Sequence, residues 1–191
     1  IRDSLHIWPR GGYMLIALPN TDRSFTATLF LANEGEPGFD RLDSDEAVRA
    51  FFREQFPDVL ADIPDLEREF RERPTGVLGT VHCPAWHLAG KALVLGDAAH
   101  AIVPFHGQGM NCAFEDCERF DAIVAEHGDD WAAVFRAFEA ERRPNAEAIA
   151  TMALENYVEM RDSVRDPKFR LKRRLERTLE SRHPGRFVPR Y

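Results

Sequence analysis

Between Ala92 and Asn111 a short apolar segment runs straight into a glycine-rich stretch. Ala92-Leu93-Val94-Leu95 is followed by Gly96-Asp97-Ala98-Ala99-His100, then by Pro104 and by Gly107-Gln108-Gly109-Met110-Asn111. Four apolar residues ending on glycine read as a short, buried strand that delivers Asp97 to an open edge. Pro104 and the glycines make a loop, and from Gly109 onward the chain reads as almost wholly helical. A carboxylate at a strand end can accept hydrogen bonds from ligand hydroxyls, such as those of a ribose or ribityl chain. The first turn of a helix presents unpaired N–H groups and a partial positive charge, which favours an anion. Gly107-Gln108-Gly109 looks like the start of a dinucleotide-binding turn, but that turn must follow directly on a strand. Here the strand ends at Leu95 and Cys112 stands at the third glycine position, so that reading fails. No other GxGxxG occurs in the chain.

Upstream, His6 to Pro9, Tyr13 to Leu18 and Ser24 to Leu31 read as three strands. Gly11-Gly12 and Pro19-Asn20-Thr21-Asp22 separate them with turn chemistry. Phe25, Ala27, Leu29 and Leu31 alternate with Thr26 and Thr28, which predicts an antiparallel meander with one buried face. Asp43 with Glu46 suggests a capping box ahead of Val48, Phe51 and Phe52, and Pro57 and Pro64 divide the next stretch into short helices. Gly76 to Cys83 reads as a further strand. Pro144, after Arg142-Arg143, is expected to end one helix and open the next.

Composition narrows the function classes. The formal charge of −7 leaves no basic stripe clear of compensating acids, so a nucleic-acid partner is not expected. Lys168 to Arg174 is locally basic and reads as a solvated helix face. Cys83, Cys112 and Cys117 offer no metal-ligand spacing. Cys112 and Cys117 read as packed thiols, and a reducing, cytoplasmic setting is expected. No apolar run approaches the roughly 20 residues of a membrane span, and Ile1-Arg2-Asp3-Ser4 is not a signal peptide.

The run from Gly96-Asp97-Ala98-Ala99-His100 through Pro104 to Gly107-Gln108-Gly109-Met110-Asn111 resembles the second FAD fingerprint of the class A flavoprotein monooxygenases. The resemblance implies an α+β or α/β fold: an antiparallel substrate-domain sheet, the C-terminal part of an FAD domain, and following helices. It divides the chain into 1–83 (sheet with short helices), 84–127 (FAD segment) and 128–191 (helical region). FAD would be held by Gly96, Asp97, Pro104, Gly107, Gln108, Gly109, Met110 and Asn111. Asp97 would lie near the ribose and pyrophosphate, and the α-helix start would face the pyrimidine edge of the flavin.

Further matches narrow this to the kynurenine hydroxylases within that family. They are His6-Ile7-Trp8-Pro9-Arg10, Met14 to Asn20 with Ser24-Phe25-Thr26, Ile102 to Asn111, Ala153 to Arg161, and Arg186 to Tyr191. The implied partners are L-kynurenine and molecular oxygen, with NADPH as a transient reductant. Phe25 and Phe105 would pack on the substrate ring with His106 beside it. Asn156 and Tyr191 would bond its polar groups, and Met160 would fill the wall. Plainer readings stay open: Phe25 as core, His106 as a cap, and Met160 as packing one helical turn from Asn156. No side chain is assigned as nucleophile or acid–base catalyst, because the resemblance places the chemistry on the cofactor. The first GxGxxG of the family is absent, so the chain is expected to be part of a longer protein. Another aromatic substrate, a non-catalytic module and a homodimer remain open at this level.

Overall fold

The computed structural model describes residues 3–187. The chain divides into two compact units, 1–75 with 158–191, and 76–157.

In the first unit, β1 (His6–Pro9), β2 (Met14–Pro19) and β3 (Phe25–Phe30) form the antiparallel meander, with Trp8 opposite Leu15 and Leu15 opposite Leu29. Gly11 and Gly12 turn the first hairpin at φ of 76° and 100°, a region open to glycine. In the second turn the Asp22 carboxylate accepts from the Ser24 N–H at 2.9 Å and from its hydroxyl. Those two bonds hold its carboxyl below the usual range. β2 is buried on both faces from Met14 to Ala17. β3 departs from the expected half-buried strand. Leu29 and Leu31 pack on the core, but Phe25 and Ala27 are exposed, because the cluster lies against the other end of the strand.

That cluster joins Tyr13 and Leu15 to Val48 and Phe52 of α1 (Asp45–Gln55), Phe56 and Val59 around α2 (Pro57–Leu60), and Leu66 of α3 (Leu66–Glu72). Pro57 begins α2 and Pro64 precedes α3, as proline geometry requires. The cap of α1 is Ser44, whose hydroxyl accepts from the Ala47 N–H at 3.2 Å, and not Asp43. One residue of shift puts Asp45 and Glu46 in the first turn, where they meet the positive end of the helix. At the chain's other end, the Gly12 N–H donates to Asp162 at 2.8 Å and Gly11 N–H to the Arg161 carbonyl. α7 (Pro167–Arg182) contains no buried residue, and its basic run includes Arg173, which pairs with Glu159 and Glu176.

The second unit carries β4 (His87–Leu88) and β5 (Ala92–Leu93), α4 (Asp97–His100), a 3-10 turn at Pro104–His106, and α5 (Gly109–His127). It also holds most of α6 (Trp131–Arg161). Trp86, Ala99, Cys112, Ile123, Val134, Phe138 and Ala146 form its core. Burial of a residue such as Phe138 contributes about 1.5–3 kcal/mol.

Three expectations change here. The segment 76–83 forms no strand: among the described residues its backbone bonds through Val81 N–H to the Ala101 carbonyl, and Val77 is 81% exposed. The apolar run 92–95 is a strand over Ala92–Leu93 only and is half-buried, since β4 offers just two partners. Pro144 ends nothing: α6 runs through it. A mid-helix proline costs about 3 kcal/mol. Arg142 and Ala146, both buried on either side of it, hold the helix on course. Among the described residues, no helix is long and apolar enough to cross a membrane.

Candidate functional site

Gly96 takes φ 57° and ψ −144°, a conformation that side chains disfavour, and it converts the end of the β5 segment into α4. Asp97 is the first residue after that turn and is exposed. The exposed acid therefore stands at the head of α4, and not at the end of the strand, which stops at Leu93. Val103 is extended, Pro104 opens the 3-10 turn, and Gly107 closes it in the left-handed region at φ 65°.

The first carbonyl bond of α5 is Cys112 N–H to Gln108 at 2.9 Å. The N–H groups of Gly109, Met110 and Asn111 precede it, and no side chain caps the helix. The Gln108 amide instead accepts from Asn111 Nδ2 at 2.9 Å. There is no acid in the first turn. The positive end of a 19-residue helix is thus left open. Gly109 sharpens the point. A Cβ there would meet only Ile102 at 3.8 Å, so the fold itself does not require glycine. A bare backbone at a helix start suits close approach by a flat, electron-rich ligand. The donor set suits an anionic or electron-rich group such as a cofactor edge.

Behind the turn lies a group of buried charges. Asp116, with no exposed surface, accepts from the Gly96 N–H at 2.9 Å, from His100 Nε2 at 2.6 Å and from Arg142 Nε at 2.8 Å. Arg142 also donates to Glu115 at 2.8 Å. Burial pushes the Asp116 carboxyl up, but hydrogen bonds from His100, Arg142 and Gly96 outweigh it and hold the group below its ordinary range. With Asp116 ionised, His100 must carry its proton on Nε2. Burial, then the charge of Asp116, pushes the Cys112 thiol up. His100, Cys112 and Asp116 lie within 4.8 Å of one another, close enough to suggest metal ligands. The guanidinium of Arg142 already takes the cation's place beside Asp116.

Among the expected substrate-side residues, Phe105 and Asn156 come together: Asn156 Nδ2 donates to the Phe105 carbonyl. Phe105 stacks on Tyr157 at 4.4 Å. His106 follows in the same turn and is half-buried. Phe25, on β3, is 40% exposed and meets His6 edge-on at 5.7 Å. Met160 is half-buried near the end of α6, and Tyr191 lies outside the described residues.

Sequence reasoning did not single out Asp116, Arg142 or Tyr157. Asp116 carried a signal, one helical turn beyond Cys112 on an otherwise apolar face. Arg142 carried none that separates it from Arg143, which is partly exposed and bonds the Pro84 carbonyl at 2.7 Å. Of the two cysteines on α5, Cys112 is the packed thiol, whereas Cys117 is exposed.

The chain is 55% identical over 190 residues to the kynurenine 3-monooxygenase of Stenotrophomonas maltophilia, covering 100% of this chain and 42% of that protein. It is 57% identical over 189 residues to the enzyme of that name from Xanthomonas oryzae pv. oryzae, covering 99% and 41%. For that of Xanthomonas campestris pv. campestris the identity is 56% over 190 residues, covering 100% and 41%. The chain thus spans about two-fifths of the length of these curated relatives. Residues 9–153 match the family described as FAD binding domain, a span that contains the whole Gly96–Asn111 segment. The chain belongs to that FAD-binding family.

Proposed function

We propose that the chain is part of an FAD-dependent monooxygenase that converts L-kynurenine to 3-hydroxykynurenine, with NADPH as reductant and molecular oxygen as co-substrate. The carrying observation is the uncapped start of α5, entered through Gly107 and Gly109 with Asp97 exposed nearby in the chain. Identity of 55% and 57%, along the length of this chain, to proteins named kynurenine 3-monooxygenase supports the choice of substrate. The balanced reaction consumes L-kynurenine, O2, NADPH and a proton, and yields the hydroxylated product, water and NADP+.

Bound FAD would supply the redox chemistry that links NADPH oxidation to oxygen transfer. The chain's own residues would bind, orient and shield. Asp97 would accept hydrogen bonds from cofactor hydroxyls. The Gly109, Met110 and Asn111 N–H groups would stabilise negative charge on the pyrimidine edge. Phe105, braced by Tyr157 and by Asn156, would present an apolar face that excludes water beside His106. The roles of Phe25, Met160 and Tyr191 on the substrate side rest on the resemblance alone. The free thiols Cys83, Cys112 and Cys117 suit a reducing compartment such as the cytoplasm.

The test uses the full-length gene product. It should purify yellow, with flavin absorbance, and L-kynurenine should accelerate NADPH oxidation and yield the 3-hydroxylated product. A flavin-free protein, or acceleration by a phenol with none by kynurenine, would overturn the reading.

A further inference from the structure

We propose that Asp116 is a positioning residue of the flavin site: by holding the Gly96 N–H and the His100 ring it sets the turn that aims Asp97, and so controls FAD affinity. The inference rests on the proposed contact between Asp97 and FAD.

α4 is a single turn, Asp97 to His100, closed by N–H bonds from Ala99 and His100 to the Gly96 carbonyl at 2.9 and 3.0 Å. So short a helix has no stability of its own. Its N-cap, Gly96, sits at φ 57° and ψ −144°, one of several conformations open to glycine, so surrounding contacts must select it. The Asp116 carboxylate supplies those contacts from α5. One oxygen, Oδ2, accepts from the N–H of Gly96 just before the turn and from the ring of His100 at its end. Asp97 lies between the two gripped residues. The other oxygen, Oδ1, is anchored by Arg142 on α6 at 2.8 Å, and His100 is packed against Trp86 at 5.1 Å between ring centres.

The carboxylate is fully buried, so it touches no ligand in solvent reach and acts only through the turn. Its chemistry is also specific. Every partner is a donor, and an asparagine in its place would turn one acceptor into an NH2 group facing a donor. The arrangement therefore needs the ionised form, whose cost of burial is offset by three donors.

The experiment is a double-mutant cycle on FAD affinity, measured by titrating flavin into the apo form of the full-length protein. The variants are Asp97→Asn, Asp116→Asn and the pair, each checked for a native near-UV spectrum. Each single change should weaken FAD binding on the order of tenfold. The pair should be weakened well short of the product of the two, because Asp116 acts through Asp97. A merely structural role for Asp116 predicts independent, multiplying effects, and that result, or unchanged affinity in folded Asp116→Asn, overturns the inference. Unchanged affinity in Asp97→Asn alone overturns instead the underlying contact between Asp97 and FAD. Should Asp116→Asn not fold, His100→Phe enters the same cycle, since it keeps a ring against Trp86 and removes one grip on the turn. Coupling with Asp97→Asn is again the expected result, and independence the contrary one.

Discussion

Around Phe56 the first unit buries aliphatic and aromatic side chains, with the Tyr13 hydroxyl at the margin reaching Gln55 at 2.6 Å. Around Phe138 the second unit buries an aspartate, a histidine and an arginine among its apolar residues. The difference has a physical consequence. An apolar core tolerates small shifts in shape, because dispersion and burial have no direction. A buried ionic group tolerates few, since each acceptor must keep its donors or bear an unpaired charge. The unit that carries the glycine turn is the one locked by direction. Its positive-φ Gly96 and one-turn α4 sit directly on that lock.

The largest expected effects come from removing one keystone in each core. Phe56→Ala leaves a cavity and should lower stability by about 3–5 kcal/mol. Arg142→Met leaves Asp116 buried without its cation and should cost about the same. The contrast lies in pH: the Arg142→Met loss should shrink on acidification, as Asp116 protonates, while the Phe56→Ala loss stays constant. Denaturant unfolding at several pH values decides it, and two pH-independent losses would remove the distinction between the cores.

A smaller effect separates the wild-type cores by the direction of their pH sensitivity. The folded Asp116 carboxyl lies below its ordinary range, so its stabilisation is complete above the unfolded carboxylate range, near pH 4, and is lost as pH falls through the folded value. Burial raises the Tyr13 hydroxyl, with Arg10 opposing. Its stabilisation is complete below about pH 10 and is lost as pH rises through the raised value. Variants retaining only Trp8 or only Trp86 should report alkaline sensitivity in the first unit and acid sensitivity in the second. Both reporters responding at the same extreme would contradict this.

Smaller still, Ser44→Ala should cost about 1 kcal/mol through loss of the α1 cap, whereas Asp43→Ala should leave stability nearly unchanged. Thermal melts of the two variants measure it, and equal losses would restore Asp43 as the cap.

Legibility in the sequence divides along the same line. The meander, the proline-started helices and the glycine run are local: each is written by neighbouring residues through turn chemistry or apolar period. Pro144 misleads because the rule for proline is local, while the Arg142 and Ala146 anchors that override it are tertiary. The segment 76–83 misleads for the complementary reason: its apolar residues are strand-like, but a strand needs a partner. The Asp97 edge and open α5 start were legible as far as motif and helix physics reach. The Asp116 lock was not, because nothing within a few residues of Arg142 marks it as the partner of a carboxylate on another helix.

The proposed flavin site includes the segment Gly96–Asn111. Hydrogen exchange of the full-length protein, with and without FAD, tests it most directly. FAD should slow exchange at the amides of Gly109, Met110 and Asn111, the three left open at the start of α5, and at the Gly96–Asp97 turn. FAD binding that protects other segments while these amides exchange unchanged would contradict it.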